Sequence, residues 1–471
     1  MKQLIFILTG LSLLFFFGCV DDSADNPTFG ENDMPHIYVG WLYTMAYRAG
    51  DTIKIEPQVS PSDGATYLWT FDGNTIATTK DLKYKLSDEL LGSYKLKFEV
   101  TRNGVSNSRE ATVLLTKEFV PKLNKHKLIG FLSWDASPDD VDWGAITHLV
   151  VTSAVVNEDG TLKASFAQLN IPVLLAFAHS HGVYVTLQIS GVINYINSGC
   201  LYDSRTFYNP ATTNPDVLAD NIVKIMTDYG FDGVDIYMDK AIDVKYDDPA
   251  AIKVFYEKVA EKIKSSTHTI DGKEYDYLLS MSVVGGWTKT SLGGVVNLPQ
   301  YDWVNVLAFL DEDIVGVPRS HGTVAYASTE ISNWLNWLDC GPVTDPSRLV
   351  LIAPDAGIRY YGIPSTFTWP TWDNFAQYIN YRDLCSTYTN LDVPVPLRNP
   401  ARIVITDNYN NPNLYVDMIY YNGLRDMQRR VDVVVIPNNL GGIGLWSLSG
   451  DTHDPATSLL TALKETLDNY E

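Results

Sequence analysis

The sequence predicts an α/β protein in which a (β/α)8 barrel follows a smaller all-β sandwich. Three observations carry this expectation: a change of hydrophobic period near residue 118, eight apolar strand candidates beyond it, and amphipathic helix patterns between them. With 471 residues, 45% apolar and 12% aromatic, the chain can bury a large core, which excludes disorder, collagen and coiled coil. Lys plus Arg minus Asp plus Glu is 35 − 56 = −21, a field that repels nucleic acid phosphates and anionic head groups. No nucleic acid partner is expected.

Met1-Lys2-Gln3 precedes an apolar run from Leu4 to Phe17. It is shorter than the ~20 residues of a membrane-spanning helix and suits the h-region of a secretory leader, expected over residues 1–18. Gly18-Cys19 resembles the lipobox of bacterial lipoproteins, which implies lipidation of Cys19; Phe16 departs from the usual aliphatic residue, and an ordinary cleaved leader is the alternative. Residues 19–35 are acidic and rich in Asn, Asp, Pro and Gly, and read as a flexible tether. Asp21-Asp22 resembles the acidic signal on surface lipoproteins of the Bacteroidetes, which implies a lipid-anchored place on the outer membrane at the cell surface. Besides Cys19 only Cys200, Cys340 and Cys385 remain, without C-x-x-C spacing, so they read as packed free thiols.

The sandwich is expected over residues 36–118, where the period is two. Tyr67, Trp69 and Phe71 alternate with polar neighbours, as do Tyr94, Leu96, Phe98 and Val100, then Ala111, Val113 and Leu115. Ser62-Asp63-Gly64, Asp72-Gly73-Asn74 and Arg102-Asn103-Gly104 mark the turns. The pattern resembles the polycystic-kidney-disease-type (PKD) immunoglobulin-like modules of surface lipoproteins, which implies a spacer. Trp69 reads as core rather than as a glycan contact.

From residue 126 to 471 apolar strands alternate with helices. The strand candidates are residues 128–132, 146–156, 183–189, 230–238, 278–284, 303–309, 349–354 and 442–448. Asn214-Pro215 start a helix carrying Leu218, Ile222, Ile225, Met226 and Tyr229, stopped at Gly230; Asp248-Pro249 start another with Ile252, Phe255, Val259 and Ile263. Such alternation implies a parallel sheet, here a TIM barrel with an insertion at about residues 355–440. A doubly wound open sheet is the alternative, weakened because no G-x-G-x-x-G follows the first strand.

The fourth strand raises the chemical question. In Phe231-Asp232-Gly233-Val234-Asp235-Ile236-Tyr237-Met238-Asp239, alternation sends Val234, Ile236 and Met238 toward the helices and Asp235, Tyr237 and Asp239 into the barrel. Barrel interiors favour branched aliphatics, and barrel enzymes place their sites at the strands' C-terminal ends, so inward carboxylates there point to a site. The segment resembles the D-G-x-D-x-D-x-E strand of family 18 glycoside hydrolases, the chitinases and endo-β-N-acetylglucosaminidases. Asp232, Gly233 and Asp235 match, whereas Tyr237 replaces the third Asp and Asp239 the terminal Glu. Gln188-Ile189-Ser190-Gly191 stands for the family's S-x-G-G, and Leu307-Ala308-Phe309-Leu310 for its M-x-Y-D, with Asp311 one position late. Pro354 and Gly357 are kept around Ala356, where Tyr is usual, and GGIGLWSLSGD keeps Trp446, the family's floor under the sugar.

The resemblance implies that the terminal acid protonates the glycosidic oxygen while the substrate's own N-acetyl group attacks, oriented by the third Asp and the sixth-strand Tyr. Asp239, one methylene short of Glu, is retracted by ~1.5 Å, where ~1 Å of misplacement costs about 100-fold. Losing the oriented partners costs about 100 to 1,000-fold more. The expectation is therefore a glycan-binding protein for N-acetylglucosamine (GlcNAc)-containing glycans with little or no turnover, perched beside glycan-import partners. An active enzyme using Asp239 and an adhesive barrel without sugar affinity are the alternatives. Asp239, Asp235 and Tyr237 are the candidate catalytic positions; Trp446, Phe309, Asp311, Gln188, Trp134 and Trp287 are the candidate sugar contacts. For Trp134 and Trp287 core packing competes with that role, and Trp369 and Trp372 read as a cleft wall or as the insertion's private core.

No cofactor and no metal are expected. His179-Ser180-His181 looks like a metal pair but ends a helix before Gly182 without a third ligand, and reads as a surface helix end. No H-E-x-x-H, G-x-S-x-G or P-loop motif occurs. Arg425 to Arg430, the densest basic stretch, reads as a solvated helix face.

Overall fold

The structure is a computed structural model and describes residues 34–40, 44–133, 136–164, 166, 169–196, 199–203, 205–238, 248–284, 292, 294–309, 322–336, 342–364, 376–388, 391, 401–406, 410 and 415–470. Cys19, Trp134, Asp239, Trp287, Asp311, Cys340, Trp369 and Trp372 lie outside the described residues. The chain divides into two compact units, residues 1–119 with 270–273, and residues 120–269 with 274–471.

The first unit is strand-rich. Thr44–Arg48, Val105–Thr116, Gly92–Arg102, Thr66–Phe71 and Asn74–Ala77 form one sheet in that order. Two short antiparallel pairs accompany it, His36–Tyr38 with Gln58–Ser60 and Thr52–Ile55 with Leu82–Lys85. Period two has the expected effect: Trp69, Leu96, Phe98, Val100, Val113 and Leu115 are fully buried. Trp69 stacks on Phe98 at 4.3 Å, and its indole N–H donates to the carbonyls of Thr79 and Lys80 at 3.1 and 3.2 Å, so it is core. Asp72-Gly73 and Asn103-Gly104 both take positive φ, the conformation of a tight hairpin turn.

The second unit closes a barrel. Its eight strands are Lys127–Ser133, His148–Val156, Tyr184–Ser190, Gly233–Tyr237, Leu278–Val284, Trp303–Leu307, Leu349–Pro354 and Gly442–Trp446. Each pairs in parallel with the next, and the eighth pairs with the first through Lys127↔Gly442 to Phe131↔Trp446. Gly233 makes this possible at the fourth strand, where a Cβ would stand 2.0 Å from the carbonyl oxygen of Leu278. Val234, Ile236 and Met238 pack into the outer core with the helices, whereas Tyr237 joins the inner cluster of Ile129, Phe131, Val150, Trp303 and Ile352.

Helix Pro215–Tyr229 begins at proline and stops at Gly230, whose φ is +77°. Asn214 precedes it without a side-chain cap bond. Leu218, Ile222 and Met226 are fully buried, whereas Tyr229, at the helix end, is 41% exposed and touches Phe166 edge-on. Helix Pro249–Lys264 is capped by Asp248, which accepts the N–H groups of Ala250 and Ala251, and Ile252, Phe255, Val259 and Ile263 are fully buried. Each such side chain contributes about 1.5–3 kcal/mol by leaving water.

The described residues between 355 and 440 include a sheet and a helical return to the barrel. Ala376–Asn380, Ala356–Pro364, Tyr415–Tyr421 and Ala401–Ile405 form an antiparallel sheet in that order, pinned by Arg359 on Asp417 at 2.7 Å. Helix Leu424–Arg430 and the π-helical turn Val431–Val435 then return to the barrel, burying Met427, Val431, Val434 and Val435 in its core. The solvated-face reading of Arg425 to Arg430 holds for Arg425 and Gln428, which are exposed, and is corrected at Arg430, which is buried and bonded to Asn422 and the carbonyls of Asp426 and Gly322. Burying the helix's apolar stripe carries the last arginine inward with it.

Candidate functional site

The barrel interior holds a polar layer beneath an aromatic cap. Gln188, Asp235, Ser280, Ser282 and Asn305 lie on four adjacent strands in register, Gln188↔Asp235↔Ser280 and Ser282↔Asn305, and all are buried. Asp235 is the acceptor of the group. Ser280 Oγ and Asn305 Nδ2 donate to its Oδ1 at 2.7 and 3.0 Å, and Ser282 Oγ and Gln188 Nε2 donate to its Oδ2 at 2.7 and 2.9 Å. Trp303 extends the layer downward by donating its indole N–H to Asn305 Oδ1 at 3.0 Å. Burial pushes the Asp235 pKa up, and the four donors work against that rise. The carboxylate is thus solvated by protein instead of water.

Above this layer lies Trp446, part-exposed at the end of the eighth strand. Phe131 packs against its ring at 4.7 Å, Tyr237 edge-on at 6.3 Å and Phe309 at 6.2 Å. Tyr237 and Phe309 are 1% and 5% exposed, so both serve mainly as ring surface under the indole. Of the expected site residues, the fold therefore brings together Asp235, Tyr237, Gln188, Phe309 and Trp446. Asp239, Asp311, Trp134 and Trp287 fall outside the described residues.

Asp232 belongs to a different place. It precedes the fourth strand at the opposite, N-terminal face, with His179 Nε2 3.0 Å from both its oxygens, His268 Nε2 3.2 Å from Oδ1, and the Val185 N–H donating at 2.7 Å. Burial acts to raise its pKa, but these bonds outweigh it and hold the carboxyl below its ordinary value. His179 is consequently a half-buried partner of Asp232 and not a surface helix end, because helix Ile171–Ser180 packs its last turn over the barrel's base. Among the described residues no cluster could hold a metal ion.

Sequence reading missed Phe131, Ser280, Ser282, Asn305 and Asp355. The first four carry a usable signal: each follows the inward parity of its strand, and three are polar residues within apolar runs. Asp355 follows the seventh strand on the outward parity and gave no such sign.

A closed parallel barrel of eight strands surrounded by helices defines the (β/α)8 class. The family description "Glycosyl hydrolases family 18" matches residues 127–451, and the chain belongs to that family. A "PKD-like domain" description matches residues 43–102. Among solved structures, a chitinase from Bacteroides thetaiotaomicron is 17% identical with a TM-score of 0.52, covering 73% of this chain and 96% of its own. A chitinase-like agglutinin from Robinia pseudoacacia is 16% identical, TM-score 0.52, covering 72% and 98%. A class V chitinase from Nicotiana tobaccum in complex with NAG4 is 13% identical, TM-score 0.51, covering 72% and 98%. These likenesses establish the shared fold. No curated protein matches the sequence.

Proposed function

We propose that this protein binds GlcNAc-containing glycans at the mouth of its barrel with little or no hydrolysis, and presents them at the cell surface from a lipid anchor at Cys19. One observation carries the reading: Tyr237 and Phe309, at positions where family resemblance implies polar groups that orient an acetamide, are buried rings packed beneath Trp446. The layer below supports it. Asp235 already accepts four internal hydrogen bonds, so its carboxylate is committed to the barrel's own polar layer. Trp446 keeps the flat apolar surface that suits the face of a pyranose. The barrel also occurs in proteins described as a chitinase-like agglutinin and as a chitinase in complex with NAG4, which supports sugar binding as the use of the mouth.

The test is incubation of the purified full chain with chitin oligomers and with high-mannose and complex N-glycans, followed by product analysis. The proposal expects intact glycan. Turnover that disappears in Asp239→Asn would instead establish an enzyme that uses Asp239 as its acid. Absence of binding to any of these glycans would favour an adhesive barrel.

A further inference from the structure

The seventh strand, Leu349–Pro354, alternates cleanly: Val350 and Ile352 enter the inner cluster, while Leu349, Leu351 and Ala353 face the outer core. Asp355 comes next on the outward side, so it lies beside the end of the eighth strand and outside the mouth. There it grips the residue that caps the site. Its N–H donates to the carbonyl of Trp446 at 2.9 Å, and its carboxyl receives the backbone N–H of Ser447, with the Ser447 hydroxyl 3.5 Å from Oδ2. Its own carbonyl accepts the N–H of Tyr381 at 2.9 Å, tying the same residue to helix Tyr381–Thr387. The turn Leu448–Gly450 closes over the carboxyl so tightly that a Cβ on Gly450 would stand 1.8 Å from Oδ2.

We infer that Asp355 is the positioning residue for Trp446, and that its protonation sets how well the indole is presented to a sugar. This rests on the reading of Trp446 as the sugar platform. A binding surface works only when its supporting residues fix it within about 0.5 Å, and Asp355 contacts the chain on both sides of the Trp446 carbonyl. The group is also poised to respond to pH. It is 7% exposed, and burial together with the neighbouring Asp451 pushes its pKa up to about 8. Among the described residues the charged groups near it are Asp451 and, beyond that, Arg382, Asp140 and His453. Asp451 is held by Ser458 and by the N–H groups of Leu459 and Leu460, its carbonyl accepts Arg382 Nε at 2.7 Å, and Arg382 pairs with Asp140, from which His453 Nε2 lies 3.6 Å. Arg382 therefore faces Asp140 and the Asp451 backbone, so ionising Asp355 adds a second negative charge beside Asp451 and strains the turn that carries Trp446.

The experiment measures chitotetraose affinity and intrinsic tryptophan fluorescence of the full chain from about pH 6 to pH 9, for wild type, Asp355→Asn and Asp355→Ala, with Trp446→Phe identifying the reporter. Wild-type affinity is expected to fall about threefold or more across this range, with a fluorescence transition near the same pH that Trp446→Phe removes. Asp355→Ala should lower affinity about fivefold or more at the acid end, and Asp355→Asn should recover most of that loss while abolishing both pH responses. Unchanged pH responses in Asp355→Asn would overturn the inference. If wild type binds no chitotetraose at any pH, the sugar reading fails, and the positioning role is then decided by whether Asp355→Asn abolishes the fluorescence transition. Asp355→Asn keeps shape and hydrogen bonding, so the test survives if Asp355→Ala does not fold.

Discussion

Gln188 donates its side-chain amide to Asp235 at 2.9 Å across neighbouring barrel strands. Two residues assigned from sequence to a substrate site thus direct polar atoms at each other, and the carboxylate's remaining capacity goes to Ser280, Ser282 and Asn305. Removing that acceptor takes this partner from four buried donors, leaving Asn305 Nδ2 only its 3.3 Å bond to Ser282 Oγ. Asp235→Ala is therefore expected to cost about 3–5 kcal/mol in urea unfolding, and Gln188→Ala only about 1–3 kcal/mol.

Trp446 supplies the sugar platform in this account, over Phe131, Tyr237 and Phe309. Trp446→Ala should weaken chitotetraose binding at least about tenfold, equal to ~1.4 kcal/mol, in calorimetric titration. Its melting temperature should also fall, because the indole covers the buried rings of Phe131, Tyr237 and Phe309.

Much of this arrangement was legible in the residues. Period two located the buried face of the first unit down to Trp69, and alternation in the fourth strand separated Val234 and Ile236 from Tyr237 correctly. All eight barrel strands fell within a few residues of their expected places. What was hidden has a common physical cause. Pairing between strands distant in sequence decides which partners an inward polar residue meets, and those of Asp235, namely Ser280, Ser282 and Asn305, come from 45 to 70 residues further along the chain. Arg430 and His179 looked solvated for the same reason, since only tertiary packing supplied their buried partners.

The missing helpers make a gain-of-function test. Combining Tyr237→Asp, Asp239→Glu and Phe309→Tyr restores the polar groups implied by family resemblance, and should raise chitotetraose hydrolysis by about 100-fold or more over any background, read by chromatography of the products. The single Asp239→Glu substitution should give far less, because the acetamide would remain unoriented.

Stability should decline as pH rises from about 4 to 8 because of Asp355. Its folded pKa, pushed by burial to about 8, lies above the ordinary carboxylate value of 3.8, so its contribution is fully present below the lower value and lost as pH rises through the higher one. Asp232 acts in the opposite sense: its pKa is lowered, so its contribution is present above the unfolded value and is lost as pH falls through the folded one. Thermal unfolding of Asp355→Asn should therefore lose less stability than wild type toward pH 8.

Gly233 is a further test of the barrel itself. Gly233→Ala forces a methyl group to 2.0 Å from the Leu278 carbonyl, and expression should yield little folded protein by circular dichroism.

Binding without cleavage is tested most directly by calorimetric titration of the wild-type protein with chitotetraose, with the ligand recovered afterwards and weighed by mass spectrometry. The predicted result is saturable heat and a recovered tetramer of unchanged mass. Shortened oligomers in the recovered ligand, or no heat at millimolar ligand, would contradict it.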